Sequence, residues 1–243
     1  RNVGKQVAEI YQQMAIDDIS GKSNFKQDSE KLIAEYKKCK REREISKAIK
    51  ELKQSYKTNT TKIPRELSYL VGKHREMYLH DMKLCQEFAK INRRTIQSII
   101  CYYMCWEVTK ETERFQTIHN YIEYDTNIVR KGAISAKTGE KVLIPINMRD
   151  GCILGIGKGN EDWNYSAPHG AGRTMSRSKA KESILLEEYQ KAMDGIFTTS
   201  VNTSTIDESP MAYKTMDEII GNIKDTVEIV DIIKPIYNFK ANE

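Results

Sequence analysis

The sequence predicts an α+β protein, with a helix-rich first half and a second half that mixes strands and helices. Two observations carry this. Apolar residues recur at three- and four-residue spacing as far as about Thr109, which is the period of amphipathic helices. Beyond Phe115 the pattern changes to short β-prone runs separated by turn residues, interleaved with shorter helical stretches. Charged residues are 30% and hydrophobic residues 39% of the 243, a balance that suits a globular chain with a well-solvated surface.

Taken in order, Val7, Ile10, Tyr11 and Met14 share one face of a first helix. Residues 19–28 are polar with one glycine and read as a loop, with Asp28 or Ser29 available to cap the helix that follows. Leu32, Tyr36 and Cys39 continue the period, and Ile45, Ile49 and Leu52 repeat it. Between them lies the run Lys37–Glu44, which reads as a solvated helix face, the alternative being an RNA-binding stripe. Residues 56–62 read as a loop, and from Pro64 the pattern is helical again, interrupted at Gly72. Met82, Cys85, Phe88, Ala89, Ile96, Ile99, Ile100 and Tyr103 form a stripe long enough for a main core helix. Cys101 and Cys105, four apart, read as two buried cysteines acting as small hydrophobes rather than as a metal pair.

In the second half, Ile128–Ala136 reads as a strand, Lys137–Glu140 as a turn and Val142–Ile146 as the partner strand. Ile153–Ile156 reads as a further strand. Ala180, Ile184, Leu185 and Met193 suggest a helix ending near Gly195, Val201–Thr205 is β-like or loop, and Met216–Ile220 opens a short amphipathic helix.

The net charge of +5 is mild and compatible with a nucleic-acid partner without establishing one. Five cysteines without a CxxC pair argue against a disulfide framework and for a reducing compartment, so a cytoplasmic location is expected. No run of about 18 apolar residues suggests a membrane span. Gly155–Gly159 invites comparison with a phosphate-binding P-loop but fails on spacing. That pattern needs glycine where Cys152 stands and Ser or Thr where Gly159 stands.

The chemistry concentrates in Pro168–Arg177. From Asn164 to Lys181 there are four basic residues and no acidic one. Glycines flank Ala171, His169 opens the segment, and Arg173 and Arg177 can each grip phosphate with a planar fork of donors. A helix starting near Ser176 would add free N–H groups. A lone histidine beside glycine most often marks a turn. The pattern nevertheless permits a phosphate pocket with His169 at its mouth.

The string Asn164–Arg173, followed by Met175-Ser176-Arg177, closely resembles the signature of the RtcB family of RNA-splicing ligases. Thr117–Tyr121, Arg130–Ala133 and Asp207–Lys214 support the resemblance. It implies an RtcB-like fold, of which residues 1–243 are expected to be the C-terminal portion of a single ligase domain. It also implies an RNA ligase that joins a 3′-phosphate or 2′,3′-cyclic phosphate end to a 5′-hydroxyl end, with GTP and Mn²⁺ as cofactors. RNA, and an activator of the archease type, are the implied partners.

By the same resemblance His169 is the nucleophile that becomes guanylylated, and His119 is a Mn²⁺ ligand. Asn120, Pro145, Asn147, Met148, Cys152, Gly170, Ala171, Gly172 and Lys240 border the nucleotide. Arg1 is expected at an RNA phosphate, while Arg173 and Arg177 are expected to contact RNA or phosphate on the ground of their donor geometry alone. The chain departs from the family at Ile146–Gly151, where Gly-Ser-Met-Gly is usual, and at Cys152, where serine is usual. It therefore reads as a divergent, bacterial-type branch. The family's other metal-ligand segments would precede Arg1, so the isolated fragment is expected to be inactive. Two other functions compete: a nucleotide- and RNA-binding module without turnover, and a phosphate-releasing hydrolase using His169 as a base.

Overall fold

The computed structural model describes residues 2–57 and 64–240, so the expectation for Arg1 lies outside it, as does most of the loop expected at 56–62. The chain divides into two compact units, Arg1–Val108 and Thr109–Glu243. As expected, it is mixed α+β.

The first unit contains α1 (Asn2–Ile19), α2 (Lys22–Lys38), α3 (Ile45–Lys57) and α4 (Gly72–Tyr103). α1 packs on the first turns of α4. Tyr11 meets Tyr78 edge-on at 5.4 Å and donates to Asp81 at 2.7 Å, while His74 Nδ1 lies 2.5 Å from Asp18. α2 packs on α3 through Phe25 and Tyr56, and Tyr56 donates to Asp28.

Four readings are corrected here. The loop expected at 19–28 is only a turn at Ser20–Gly21, and α2 runs through Asp28 and Ser29, so neither is a cap. Gly21 in left-handed geometry makes the break, and no other residue in that stretch forces one. On α1 the buried residues are Tyr11 and Ala15, whereas Ile10 faces out. The stripe on α4 is not a core: no residue of that helix is buried, Phe88 is 57% exposed and Tyr103 78%. Periodicity shows that a face is apolar but not what covers it. Cys105 is exposed, lies past the helix end and has φ of 53°, so it does not share a buried face with Cys101. The charged run Lys37–Glu44 is exposed as read, although it ends α2 rather than continuing a helix.

The second unit is built on small antiparallel sheets. β1 (Asn120–Glu123) pairs with β2 (Ile128–Lys131), and β3 (Ala133–Ser135) pairs with β6 (Ser166–Pro168). β4 (Lys141–Asn147), β5 (Gly151–Gly157) and β7 (Val227–Ile233) form a three-stranded sheet in that order. Val142, Ile144 and Ile146 alternate inward from β4, as a strand with one buried face requires. They pack with Ile134, Ile153, Ile219 and Ile223, the last two lying on or just beyond α7 (Met216–Asn222). A second cluster joins Met148 and Ala180 to Tyr189 and Ala212, using α5 (Arg177–Ser183) and α6 (Leu186–Ala192).

The hairpin expected across Lys137–Glu140 does not form. The turn is there, with Glu140 N–H donating to Lys137 O at 3.0 Å, but β3 leaves to pair with β6 and β4 pairs with β5. The cause is Gly132, whose φ of 69° breaks the expected strand in two. The glycines that resemble a P-loop have a packing reason: a Cβ on Gly155 would collide with Val227 and the Glu228 carbonyl on β7. The single helix expected to end near Gly195 is two short ones, and residues 203–208 form a 3-10 turn where strand or loop was expected.

Candidate active site

His119 precedes β1 and His169 follows β6, so two separate two-stranded ribbons deliver them. Their rings lie 4.7 Å apart between centroids, tilted by 34°. Both residues are exposed, leaving room for a ligand. The β3–β6 ladder ends with Ala133 opposite Pro168, so one more step brings Gly132 to His169. His169 Nδ1 lies 2.6 Å from Gly132 O. A carbonyl only accepts, so Nδ1 carries the proton, and the Nε2 of the neutral ring holds the free lone pair. Gly132 N–H in turn donates to His119 O at 2.9 Å and to Asn120 Oδ1 at 3.0 Å. One glycine thus ties both histidines and Asn120 together.

The end of β4 borders this centre through Pro145, whose carbonyl accepts from Ala171 N–H at 3.1 Å and lies 3.0 Å from the Cβ position of Gly170. Asn147 is turned onto its own loop, donating to Asp150 at 2.7 Å and accepting from the Arg149 and Asp150 amides. Met148 is buried in the second core, where Tyr189 donates to its sulfur at 3.2 Å. Its backbone carbonyl accepts from Asn238. Cys152 pairs with Pro145 and with Ile233 across its sheet, and burial pushes its thiol up. Gly172 accepts from Lys214 N–H, which joins the glycine segment to the 207–214 stretch.

The basic residues are not free. Arg173 donates to Glu208 at 2.6 Å, to Tyr213 at 2.8 Å and to the Asp207 carbonyl. Arg177 and Lys181 lie 3.5 and 3.6 Å from the Asp207 carboxylate, and Lys240 lies 3.2 Å from Glu208. Burial alone would raise the Glu208 carboxyl, but Tyr213, Lys240 and Arg173 hold it below its ordinary range. Burial and Glu208 together push the Tyr213 phenol up. Four cations face two carboxylates, so the cluster keeps a net positive field toward a phosphate. α5 is short, and Ser176 caps it by accepting from Lys179 N–H.

No role for Asp207, Glu208, Tyr213 or Arg130 is legible from spacing alone. A buried carboxylate carries no periodic signature, and Arg130 stands beside Val129 with burial opposite to their hydropathy.

Arg130 and Lys137 both pair with Glu123. Burial works against that carboxylate, but the donors around it win and hold its pKa at about 2. An unfolded glutamate titrates near 4.3, so the folded value is depressed. The stabilisation is complete above roughly pH 4 and is lost as the pH falls through about 2. Acid titration should therefore show a shallower loss of stability in Glu123→Gln over that window. The variant should also lose on the order of 2 kcal/mol at neutral pH.

The tRNA-splicing ligase RtcB family model matches residues 1–241. The chain belongs to the RtcB family. The RNA-splicing ligase RtcB of Escherichia coli is 30% identical over 213 residues, covering 81% of this chain and 51% of that protein. The tRNA-splicing ligase RtcB of Aeropyrum pernix is 41% identical over 86 residues, 33% of this chain and 18% of that protein. That of Nanoarchaeum equitans is 31% identical over 156 residues, 56% of this chain and 32% of that protein. This RtcB-family chain spans about half the length of the Escherichia coli relative. Among its described residues no helix is long and apolar enough to cross a membrane.

Proposed function

We propose that this chain carries the nucleotidyl-transfer centre of a GTP-dependent RNA ligase, with His169 as its nucleophile. The supporting observation is the hydrogen bond from His169 Nδ1–H to Gly132 O on an exposed ring, which selects the tautomer whose lone pair is on Nε2 whenever the ring is neutral. In the first step Nε2 attacks the α-phosphorus of GTP. An N–P bond forms, the bond to the bridging oxygen breaks and pyrophosphate leaves. A 3′-phosphate oxygen of RNA then displaces the imidazole, and the 5′-hydroxyl of the second strand displaces GMP. Arg173, Arg177 and Lys240 supply positive field at the phosphates, and Gly170–Gly172 let the backbone come close.

Mn²⁺ is the metal that family membership suggests. Among the described residues no group of three His, Cys, Asp or Glu side chains could hold an ion, so these residues do not by themselves make its site. No step above runs through it. In this reading His119 contributes one imidazole to a set completed by donors not among them. The chain alone should therefore bind Mn²⁺ weakly by titration calorimetry. Tight stoichiometric binding that survives His119→Ala would remove His119 from the metal.

A ligation assay separates the competing functions. A ligase of full family length carrying these residues should join a 3′-phosphate RNA to a 5′-hydroxyl RNA only with GTP. Phosphate release without joining would select the hydrolase, and RNA binding with neither would select the binding module.

A further inference from the structure

We propose that Arg130 is a positioning residue for His169. Its buried guanidinium locks the ribbon that begins at Asn120 to the strand that ends at Pro168, and so fixes the tautomer and aim of the imidazole. The proposal rests on the reading of His169 as nucleophile for its catalytic consequence only.

β1–β2 and β3–β6 are separate two-stranded pairings, and a ribbon of two strands is marginal by itself. Arg130 bridges them. Its side chain is 1% exposed, while the neighbouring Val129 is 71% exposed. An arginine has five N–H donors in a rigid fork, and here each meets an acceptor. Nε donates to Ser166 Oγ at 3.0 Å; Nη1 donates to Tyr121 at 3.1 Å and Glu123 at 2.8 Å; Nη2 donates to the carbonyls of Asn164 at 3.2 Å and Tyr165 at 3.5 Å. Two of these partners lie on β1, and three lie on or just before β6.

Those two carbonyls belong to consecutive non-glycine residues in left-handed geometry, with φ of 49° and 53°. Such backbone persists only where the surroundings hold it. Arg130 grips it three residues before Pro168, directly upstream of His169. From there the connection is short. His169 donates to Gly132 O, and Gly132 N–H returns to His119 O and Asn120 Oδ1. If β6 and the β1–β2 ribbon separate, this junction slackens and Nδ1 loses its fixed acceptor. Lysine has three donors and no planar fork, so it keeps the charge but cannot make the crosslink.

The test follows the histidine ring nitrogens in the ¹⁵N-histidine-labelled 243-residue chain at about pH 8, where a free imidazole is neutral. His169 is assigned by its absence from His169→Gln. The wild-type ring should show protonated Nδ1 and unprotonated Nε2. In Arg130→Lys the two nitrogens should move toward a tautomer mixture, while His74 and His80, in the other unit, stay in place. A folded Arg130→Lys chain with an unchanged His169 signature would overturn the proposal. Should that variant fail to fold, Tyr121→Phe removes one of the five acceptors and keeps the ring; it should shift His169 in the same direction by less, and no shift would overturn the proposal equally.

In a ligase of full family length carrying these residues, Arg130→Lys should slow adduct formation at saturating GTP by about 10- to 100-fold, as expected when a reacting group is misplaced. The KM for GTP should stay within about twofold. A change in KM alone would contradict a positioning role. If wild-type protein forms no adduct, the nucleophile reading fails, while the ring-nitrogen signature still decides the role of Arg130.

Discussion

Replacing His169 by glutamine in a ligase of full family length should abolish both the protein-bound nucleotide and the joined RNA, a loss of at least about a thousandfold. Glutamine keeps a donor that can reach Gly132 O, so the junction among Gly132, His119 and Asn120 should survive. What disappears is a lone pair able to attack phosphorus. Because the side chain is exposed, stability should change by no more than about 1 kcal/mol. The measurement is adduct formation from GTP labelled at the α-phosphate, together with ligation of labelled RNA and a melting curve. Ligation at near wild-type rate would show that another group carries the nucleotide.

Arg173→Ala should have the second-largest effect, and of a different kind. Asp207 is only 4% exposed and Glu208 is largely buried, and Arg173 reaches both carboxylates and the Tyr213 hydroxyl, which itself donates to Glu208. Its ring contact with Tyr213, 4.7 Å from guanidinium to centroid, adds to the packing. Removing it takes one of several counter-charges from these carboxylates, with Lys240 left on Glu208 and Arg177 and Lys181 left on Asp207. It also strips Glu208 and Tyr213 of a donor, and the change costs on the order of 1–3 kcal/mol. The Glu208 carboxyl is held low in the folded chain, so the stabilisation it draws from Arg173 is present above the unfolded carboxylate pKa and fades as the pH falls. The loss on Arg173→Ala should accordingly be largest near neutrality and shrink on acidification, which urea denaturation at two pH values would show. Adduct formation should persist in part and transfer to RNA should slow more, because an electrostatic contribution is partial where a nucleophile is not. A variant as stable as wild type at neutral pH would mean the network does not hold this part of the chain together.

The physical origin of each feature decided how readable it was. β4 was legible because Val142, Ile144 and Ile146 alternate onto one buried face. α7 was legible because its apolar residues recur at helical spacing, with Thr215 capping it. The β3–β6 pairing was not, since it depends on a left-handed glycine at 132 and on a partner more than thirty residues away. Local signals favoured the hairpin because the turn at Lys137–Glu140 does exist. The apolar stripe on α4 was read correctly as a stripe and wrongly as a core, because a sequence period does not name the surface that covers it.

At the candidate site, the segment around His169 stood out through its glycines and its charge. The approach of His119 to His169 came from family resemblance; no spacing between residues fifty apart encodes it. Arg173 and Arg177 were chosen for their donors, but the acids that hold them, Asp207 and Glu208, gave no periodic signal. Arg130 is the plainest case. It occupies a buried position that a hydropathy pattern assigns to its neighbour, and only the five acceptors around it explain why.

The central claim is that His169 carries the nucleotide through Nε2. The most direct measurement is to expose a protein of full family length carrying these residues to Mn²⁺ and GTP labelled at the α-phosphate, digest it and locate the label. The label should be acid-labile and base-stable, as a phosphoramidate is, and should map to the peptide containing His169. Label mapped to a lysine such as Lys181 or Lys240, or retained in His169→Ala, would contradict the claim and place the chemistry with lysine-dependent nucleotidyl transfer.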